Sequence, residues 1–388
     1  MARGCSLLIG FISVSLGCAC IALAQSAQPA VFVTNNVGDS VTSFTVGPNG
    51  AVTRVGVVPS GDGPQTVSLS PDGKWLAVAN GTQSTTTEEL RIFQVNSDAT
   101  LTQRLTTLVP DSPLDVQWMS NSGLAVTHTA LSGTNEVRTF SYDPIGNSLS
   151  PVDIKPTGSF SSRLASARGG SLLYANNTSG GNSIFAFQVA GNGALTNVDT
   201  EPTGSLFAVN IAASHDGRNL YGAGGISGDG HRILGYSIDA AGALTPTAAG
   251  SYFSPGVSPK VIALTDDDSI LIAGHGTDAT VQTFFRNGAG DLTATGFSFD
   301  VGDQGNLGDL QTMGRLLFVT HSFSDSTGGT GLYSFTVNPN GSLTQNGPLV
   351  DTLGTRPEYI ATWAGVPEPG CAGIIVPAVA LLVRRQRR

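Results

Sequence analysis

A short signature of small turn residues followed by a Leu-Thr type pair recurs seven times, and it constrains the fold more than any other feature. The signatures end at Thr53, Thr102, Ser150, Thr196, Thr245, Thr293 and Thr344, with separations of 49, 48, 46, 49, 48 and 51 residues. Repetition at such a period is the mark of an architecture built from stacked copies of one unit. The chain is therefore expected to build one unit seven times.

Each repeat is predicted to contain four short strands. An aromatic residue holds a fixed place in the strand before the signature, and an apolar residue usually follows two positions later, as in a strand with one buried face. The aromatic residues are Phe44, Phe93, Phe140, Phe187, Tyr236, Phe284 and Phe335. Two alternating segments precede this strand, joined by turns such as Pro71-Asp72-Gly73, and a fourth segment follows it. Four short strands without a helical pattern predict an all-β fold, a seven-bladed β-propeller with four antiparallel strands per blade.

The phase of the repeats predicts how the ring closes. The repeat region begins near residue 30 with the second strand of a blade, and a segment with the pattern of the missing first strand lies at 357–363. The C-terminal strand should therefore pair beside residues 30–35 and leave no free edge. These features predict one propeller domain over residues 28–365.

The N-terminal segment predicts export. Residues 1–24 contain a positive Arg3, an apolar run and an Ala22-Leu23-Ala24 cleavage site. This order is typical of a secretory signal peptide.

The C-terminal segment, residues 366–388, resembles the bacterial PEP-CTERM sorting signal. It combines Pro367-Glu368-Pro369, an apolar run and a terminal cluster of four arginines. The resemblance implies an exosortase as partner, membrane contact only through this tail, and a final place in the cell envelope or at the extracellular surface. The apolar run is interrupted by Pro377 and is shorter than the ~20 residues that span a bilayer.

Composition excludes several classes of function. Charged residues make up only 12% of the chain, the net charge is -9, and there are three lysines. Such a chain has no basic face for nucleic acid. All four cysteines lie in the two terminal segments, so the propeller is expected to use neither disulfides nor thiol chemistry.

The repeat motifs resemble the seven-bladed lactonase family, the YVTN or 6-phosphogluconolactonase-like propellers, over residues 28–365. The resemblance rests on the motifs Leu-x-Val-x-Asn, Val-x-x-Phe-x-Val and Asn-Gly-x-Leu-Thr, together with Ser-Pro-Asp-Gly. The resemblance implies lactone hydrolysis or the lactonising chemistry of carboxymuconate cyclases. Phosphogluconolactonase members also begin one innermost strand with Pro-Arg-His. None of the seven aligned starts here reads Pro-Arg-His, which argues against that activity.

A ring of polar residues is predicted where the second strand of each blade ends. Its members are Asn35, Asn80, His128, Asn177, Gly224, His275 and His321, with His231 in the loop after Gly224. We interpret His128, His275 and His321 as candidate catalytic bases, because histidine titrates near neutral pH. Arg163 is the candidate cation for a developing oxyanion. The candidate ligand-binding residues are Asn35, Asn80, Asn177, His231, Lys260, Asp115 and Asp309.

Two other interpretations of these residues stay open. The histidines together with Asp115 or Asp309 could hold a divalent metal, although no metal or other cofactor is the leading expectation. The asparagines and histidines equally suit bonds to the backbone where a strand turns into its loop.

The leading functional hypothesis is an exported, lactonase-like propeller that recognises a ligand or partner at the cell envelope. The partner would be a small molecule, a polysaccharide or an envelope protein. The alternatives are a lactone-hydrolysing enzyme that uses the histidine-bearing face, and an architectural surface protein.

Overall fold

Seven four-stranded antiparallel sheets make up the described part of the protein. The computed structural model describes residues 28–81, 88–109, 112–129, 135–158, 160–178, 181–225, 231–302, 305, 307–324 and 329–365. Within these residues each sheet is a blade, which confirms the predicted all-β, seven-bladed propeller. The predicted signal peptide and sorting tail lie outside the described residues.

In six blades the strands follow the chain in order from the innermost to the outermost, and in the first blade the innermost strand comes last in the chain. The first blade contains β1 (Ala30–Asn35), β2 (Ser40–Val46), β3 (Val52–Pro59) and β28 (Pro357–Trp363). The second contains β4 (Pro64–Leu69), β5 (Trp75–Asn80), β6 (Glu89–Val95) and β7 (Leu101–Leu108). The third contains β8 (Ser112–Trp118), β9 (Gly123–Thr129), β10 (Asn135–Asp143) and β11 (Ser148–Gly158).

The remaining four blades repeat the same arrangement. The fourth contains β12 (Leu164–Ala167), β13 (Leu172–Asn177), β14 (Ser183–Val189) and β15 (Leu195–Pro202), with a 3₁₀ turn at Arg168–Gly170. The fifth contains β16 (Phe207–Ala213), β17 (Asn219–Gly225), β18 (Arg232–Ile238) and β19 (Leu244–Phe253). The sixth contains β20 (Pro259–Leu264), β21 (Ile270–His275), β22 (Thr280–Arg286) and β23 (Leu292–Asp300). The seventh contains β24 (Leu307–Met313), β25 (Leu316–His321), β26 (Gly331–Val337) and β27 (Leu343–Gln345).

The last strand closes the ring as the repeat phase predicts. Strand β28 pairs antiparallel with β1, with Ile360 opposite Val33 and Trp363 opposite Ala30. The first blade is thus completed by the C-terminal end of the domain, and its innermost edge strand comes from the opposite end of the sequence.

The aromatic column forms the packing between blades. Phe44 of the first blade is fully buried and shares an apolar cluster with Met313 and Phe318 of the seventh. Phe335 of the seventh blade packs in the same way with Val261 and Ile272 of the sixth. Because a single twisted sheet cannot bury both faces alone, these contacts hold the blades around a central axis.

The hairpins between the first two strands of the blades use an aspartate turn. Ser70 Oγ donates to Asp72 Oδ1 at 2.7 Å, and Lys74 N donates to the same oxygen at 3.2 Å. Thr265 and Asp267 repeat this arrangement in the sixth blade. The Asp266-Asp267-Asp268 run is therefore a hairpin turn, as its repeat position predicts. No helix in the described residues is long and apolar enough to cross a membrane.

Candidate functional site

The innermost strands turn one backbone edge toward the central axis, and those edges need hydrogen-bond partners. Four side chains supply them, each from the preceding blade. Asp115 Oδ2 accepts from Leu164 N at 2.7 Å, and Asp309 Oδ2 accepts from Ile360 N at 3.0 Å. Thr66 Oγ1 accepts from Val116 N at 3.0 Å, and Asn210 Oδ1 accepts from Ile262 N at 3.3 Å.

These four residues occupy one repeat position, the third residue of each aligned inner-strand start. We call the seven residues at this position the cap layer: Thr66, Asp115, Arg163, Asn210, Val261, Asp309 and Tyr359. The caps tie neighbouring blades together, so the carboxyl groups of Asp115 and Asp309 have a structural role whatever else they do.

Arg163 interrupts this pattern, because a guanidinium cannot accept a hydrogen bond. Its side chain extends from the fourth blade to the first, where Nη2 donates to the hydroxyl of Tyr359 at 2.8 Å. The guanidinium carbon also lies 4.7 Å from the centre of the Tyr359 ring, a cation–π contact. Nη1 donates to the carbonyl of Ser162 at 2.9 Å. The Arg163–Tyr359 pair therefore links the fourth blade to the closing strand.

Asn176 positions Arg163, and sequence reasoning missed it in favour of the adjacent Asn177. The side-chain oxygen of Asn176 accepts from the backbone N–H of both Ser162 and Arg163, at 2.9 and 2.8 Å. Its amide donates to the carbonyl of Ala208 in the next blade at 2.6 Å. Asn177 instead accepts from Phe160 N at 3.3 Å. Two consecutive asparagines give no signal in the sequence for which one bonds the backbone of Ser162 and Arg163.

Burial changes the pKa of the charged groups near this layer. Burial raises the pKa of Asp115, and it raises the pKa of Asp309 to about 6, against the opposing effect of Arg163 on both. Burial lowers the pKa of Lys260, whose Nζ donates to the carbonyl of Leu307 at 3.0 Å. Perturbed groups brought together in a concave site are typical of binding and catalytic sites.

A cavity of about 360 Å³ occupies the axis next to the cap layer. Arg163, Asp115, Asp309 and Tyr359 line one end of it. The inner strands run from there to the hairpin end of the channel, where the lining includes His215. Small side chains along the strands, among them Ala165, Ala212 and Ala263, leave the axis open.

His215 lines the hairpin end of the channel, on the face opposite the strand-end histidines. Its Nδ1 lies 3.0 Å from Asp268 Oδ1 and its Nε2 lies 4.0 Å from Asp266 Oδ1. The hairpins follow directly on the inner strands, so they surround the far end of the channel. That connection was the available signal for placing His215 there.

The predicted ring at the second-strand ends lies elsewhere. We call Asn35, Asn80, His128, Asn177, Gly224, His275 and His321 the strand-end layer. His128, His275 and His321 are fully buried within the sheets. None of the three, nor His231, is among the described residues that line the axial cavity.

His275 is held at both ring nitrogens. Nδ1 lies 3.0 Å from the carbonyl of Thr280, and Nε2 lies 2.6 Å from the hydroxyl of Ser254. A carbonyl only accepts, so the network assigns the proton to Nδ1 and makes Ser254 the donor to Nε2. Burial lowers the pKa of His275, which favours this neutral form.

Three further predicted residues have local partners too. Nδ1 of His321 donates to the carbonyl of Gly329 at 2.8 Å, and Nδ1 of His231 donates to the carbonyl of Gly256 at 2.7 Å. The amide of Asn35 donates to the hydroxyls of Ser40 and Thr42. These bonds fit the alternative that strand-end side chains organise loops.

Close packing against glycine recurs in the strand-end layer. A Cβ placed on Gly354 would lie 2.0 Å from Asn35, and one placed on Gly256 would lie 2.4 Å from His275. Gly158 approaches Asn177 and Gly61 approaches Asn80 in the same manner. The four glycines lie at the end of the outermost strand of the preceding blade or in the segment after it, so this layer fills the space beneath the inter-blade connections.

The structure thus separates the predicted site residues into two groups. Arg163, Asp115 and Asp309 line one cavity. The positive charge of Lys260 is close enough to act against the rise in the pKa of Asp309. The strand-end layer and His231 lie outside that lining. Binding or catalysis by any of these residues stays a prediction. No group of three or more His, Cys, Asp or Glu side chains in the described ranges is placed to hold a metal ion.

Comparison with known proteins supports the same fold. The family model described as "Lactonase, 7-bladed beta-propeller" matches residues 15–118. The chain is similar to the seven-bladed lactonase propellers. No curated protein matches its sequence significantly.

Solved structures of this propeller type superpose over nearly their whole length. One is described as a "putative 6-phosphogluconolactonase" of Bacteroides uniformis, with 14% identity and a TM-score of 0.72, covering 87% of this chain and 100% of that one. A second is the periplasmic gluconolactonase of Pseudomonas aeruginosa, with 18% identity and a TM-score of 0.67, covering 88% of this chain and 99% of that one. At such identities the likeness concerns the fold alone.

Proposed function

We propose that this protein is an exported propeller that recognises a small ligand in its axial cavity at the cell envelope. The observation that carries the proposal is the cavity itself, which Arg163, Asp115 and Asp309 line together. Concave sites with a few convergent polar groups and perturbed pKa values are the usual places for small-ligand binding.

Export and surface sorting are part of the same proposal. The signal-like residues 1–24 and the PEP-CTERM-like residues 366–388 support it, with an exosortase as the processing partner. The mature protein should then lack both segments. Mass spectrometry of the protein recovered from its host tests this, and a final extracellular form that keeps residues 384–388 would contradict it.

Ligand recognition is tested by thermal melting of the purified chain against a panel of sugars, sugar acids and lactones. A ligand that binds only the folded state raises the melting temperature with concentration. The cavity predicts that any hit loses its effect when Ser166, which lines the channel and belongs to no apolar cluster between blades, is replaced by Phe. The control is Val57→Phe on the exposed outer strand β3. A hit that persists in Ser166→Phe would place binding outside the channel.

Lactone hydrolysis is a second candidate, favoured by Asp309 and Arg163 lining one cavity. A carboxyl group with a pKa of about 6 is suited to proton transfer near neutral pH, and Arg163 would stabilise a developing oxyanion. The two solved relatives named above are described as lactonases, which adds support.

The test is hydrolysis of a lactone panel by wild type and two variants. Asp309→Asn keeps the cap on Ile360 N but removes the base, so it should abolish turnover. His275→Asn is the matched control in the strand-end layer. Loss of turnover in His275→Asn but not in Asp309→Asn would instead place the catalytic base in the strand-end layer.

A further inference from the structure

The cap layer leaves a backbone donor open beside its only described arginine. In four blades an oxygen of the cap layer accepts from an N–H of the next inner strand, that of the residue directly after the cap-layer position: Val116, Leu164, Ile262 or Ile360. The equivalent donor in the fifth blade is Ile211 N, since Ile211 pairs with β17 as Ile262 pairs with β21. The residue that should cap it is Arg163, which offers no acceptor.

The arginine and the open donor face the same volume. Arg163 and Ile211 both line the axial cavity. Among the described residues, two N–H groups of the guanidinium are used, by Ser162 and Tyr359. A guanidinium has five N–H donors in a fixed plane, so an edge remains for an external acceptor.

We propose that Arg163 and the N–H of Ile211 form a carboxylate subsite, and that the ligand of the axial cavity is a small hydrophilic carboxylic acid. One carboxylate oxygen accepts from Ile211 N, as Asp115 Oδ2 does from Leu164 N in the preceding interface. The other oxygen pairs with Arg163. The ligand thus supplies the acidic cap that the Arg163 interface lacks. This inference rests on the proposed recognition function and names its ligand class.

The rest of the cavity suits a hydrophilic body on that acid. Beyond the cap layer the lining includes Gln117, Ser166, Gln311 and Thr312. Their amides and hydroxyls can donate and accept, which favours hydroxyl groups over a hydrocarbon chain. A volume of about 360 Å³ limits the ligand to a small molecule.

The charges around the subsite predict how binding varies with pH. Asp115 and Asp309 face the same layer and repel an anion, whereas Arg163 and Lys260 attract it, and Tyr359 covers one face of the guanidinium. Burial raises the pKa of Asp309 to about 6. Protonation of Asp309 removes one repulsive charge, so affinity should be higher at pH 5.5 than at pH 8.

Titration calorimetry of the purified chain with D-gluconate tests the subsite, and sorbitol is the matched probe, since it carries a hydroxyl group in place of the carboxylate. Gluconate should bind and sorbitol should bind at least about tenfold more weakly, as expected for loss of a charge-assisted pair. Equal binding of the two probes, or no gluconate binding at millimolar concentration, would overturn the subsite.

Arg163→Asn is the informative variant. Asparagine can cap Ile211 N as Asn210 caps Ile262 N, so the variant should fold, and it should lose gluconate affinity at least about tenfold. In wild type with ¹⁵N-isoleucine labelling, the Ile211 amide signal, assigned through Ile211→Val, should shift with gluconate. Unchanged affinity in Arg163→Asn, or an unmoved Ile211 signal, would refute the assignment even if the variant folds poorly.

A neutral probe separates the two proposals. If D-glucono-1,5-lactone binds in the channel and gluconate does not, recognition in the cavity stands and the carboxylate subsite fails. If neither binds and no sugar of the panel does, both fail.

Discussion

The two polar layers of this propeller look alike in the sequence and differ in the structure. Both consist of one residue per repeat, and each has one exception to the polar pattern, Gly224 in the strand-end layer and Val261 in the cap layer. The strand-end layer is enclosed by inter-blade glycines and its described bonds go to neighbouring loops. The cap layer borders a cavity, and Arg163 leaves one of its interfaces without an acceptor. A repeated polar position thus does not tell a layer packed between blades from one that borders a cavity, whereas the departure at Arg163 lies in the layer at the cavity.

Removal of the closing strand should have the largest effect, because it takes Tyr359 out of the cap layer and opens the ring. Truncation after Gly354 removes Tyr359, Ile360 and Trp363. Full burial of one such side chain is worth ~1.5–3 kcal/mol. The loss should be on the order of 5 kcal/mol, comparable to the lower end of domain stability.

The matched control is truncation after Val366, which leaves β28 intact. Thermal melting followed by circular dichroism should show a cooperative transition for the chain truncated after Val366 and none for the chain truncated after Gly354. If both truncated chains melt at the same temperature, β28 does not contribute to stability as its pairing with β1 indicates.

Gly256→Ala should have the next largest effect and tests the packing of the strand-end layer. The added Cβ would lie 2.4 Å from the ring of His275, and overpacking of this kind costs ~1–3 kcal/mol. In a His275→Ala background the same change should cost much less, because the ring is gone. Urea denaturation of the four proteins in this double-mutant cycle measures the coupling. If the costs of Gly256→Ala and His275→Ala simply add, the imidazole of His275 is not the reason for a glycine at position 256.

The sequence was sufficient for the fold because the repeat encodes it many times over. The aromatic column, the hairpin turns and the displaced strand 357–363 are each set by local pattern or by phase. All three were confirmed in the described residues.

The candidate site could be predicted only in part. Arg163, Asp115 and Asp309 were named from their places on the inner strands, but their convergence with Tyr359 depends on the diameter of the closed ring. Asn176 was missed because it does not break its local pattern. Which polar layer borders a cavity depends on how closely neighbouring blades pack at that level. A repeat alignment contains no information about the spacing between blades.

Asp309→Asn should have a smaller, pH-dependent effect that tests the cap layer. The pKa of Asp309 is raised from 3.8 to about 6 in the folded state, so the folded state holds this proton more tightly than the unfolded state. Its stabilising contribution is full below about pH 4 and is lost as the pH rises through 6. Two pKa units correspond to about 3 kcal/mol.

Asparagine preserves the cap, as Asn210 shows, and carries no charge. The unfolding free energy of Asp309→Asn should therefore fall less steeply between pH 4 and 7 than that of wild type. Asp72→Asn is the opposite control, because hydrogen bonds from Ser70 and Lys74 lower the pKa of Asp72 and its contribution grows with pH. Parallel curves for wild type and Asp309→Asn would mean that Asp309 titrates normally.

The smallest effect is expected from exchanging the histidines of the strand-end layer for the residue that other repeats use there. Asparagine stands at this position in Asn35, Asn80 and Asn177. His128→Asn, His275→Asn and His321→Asn should therefore fold, each with a loss of about 1 kcal/mol from changed hydrogen bonds.

Because these side chains do not line the axial cavity, ligand affinity should stay within about twofold of wild type, against the tenfold loss expected for Arg163→Asn. Calorimetry and melting curves measured on the same preparations separate the two quantities. A histidine variant that keeps its melting temperature but loses ligand affinity or lactone turnover would reverse the assigned roles of the two layers. It would then be the strand-end layer that functions and the cap layer that only holds the ring.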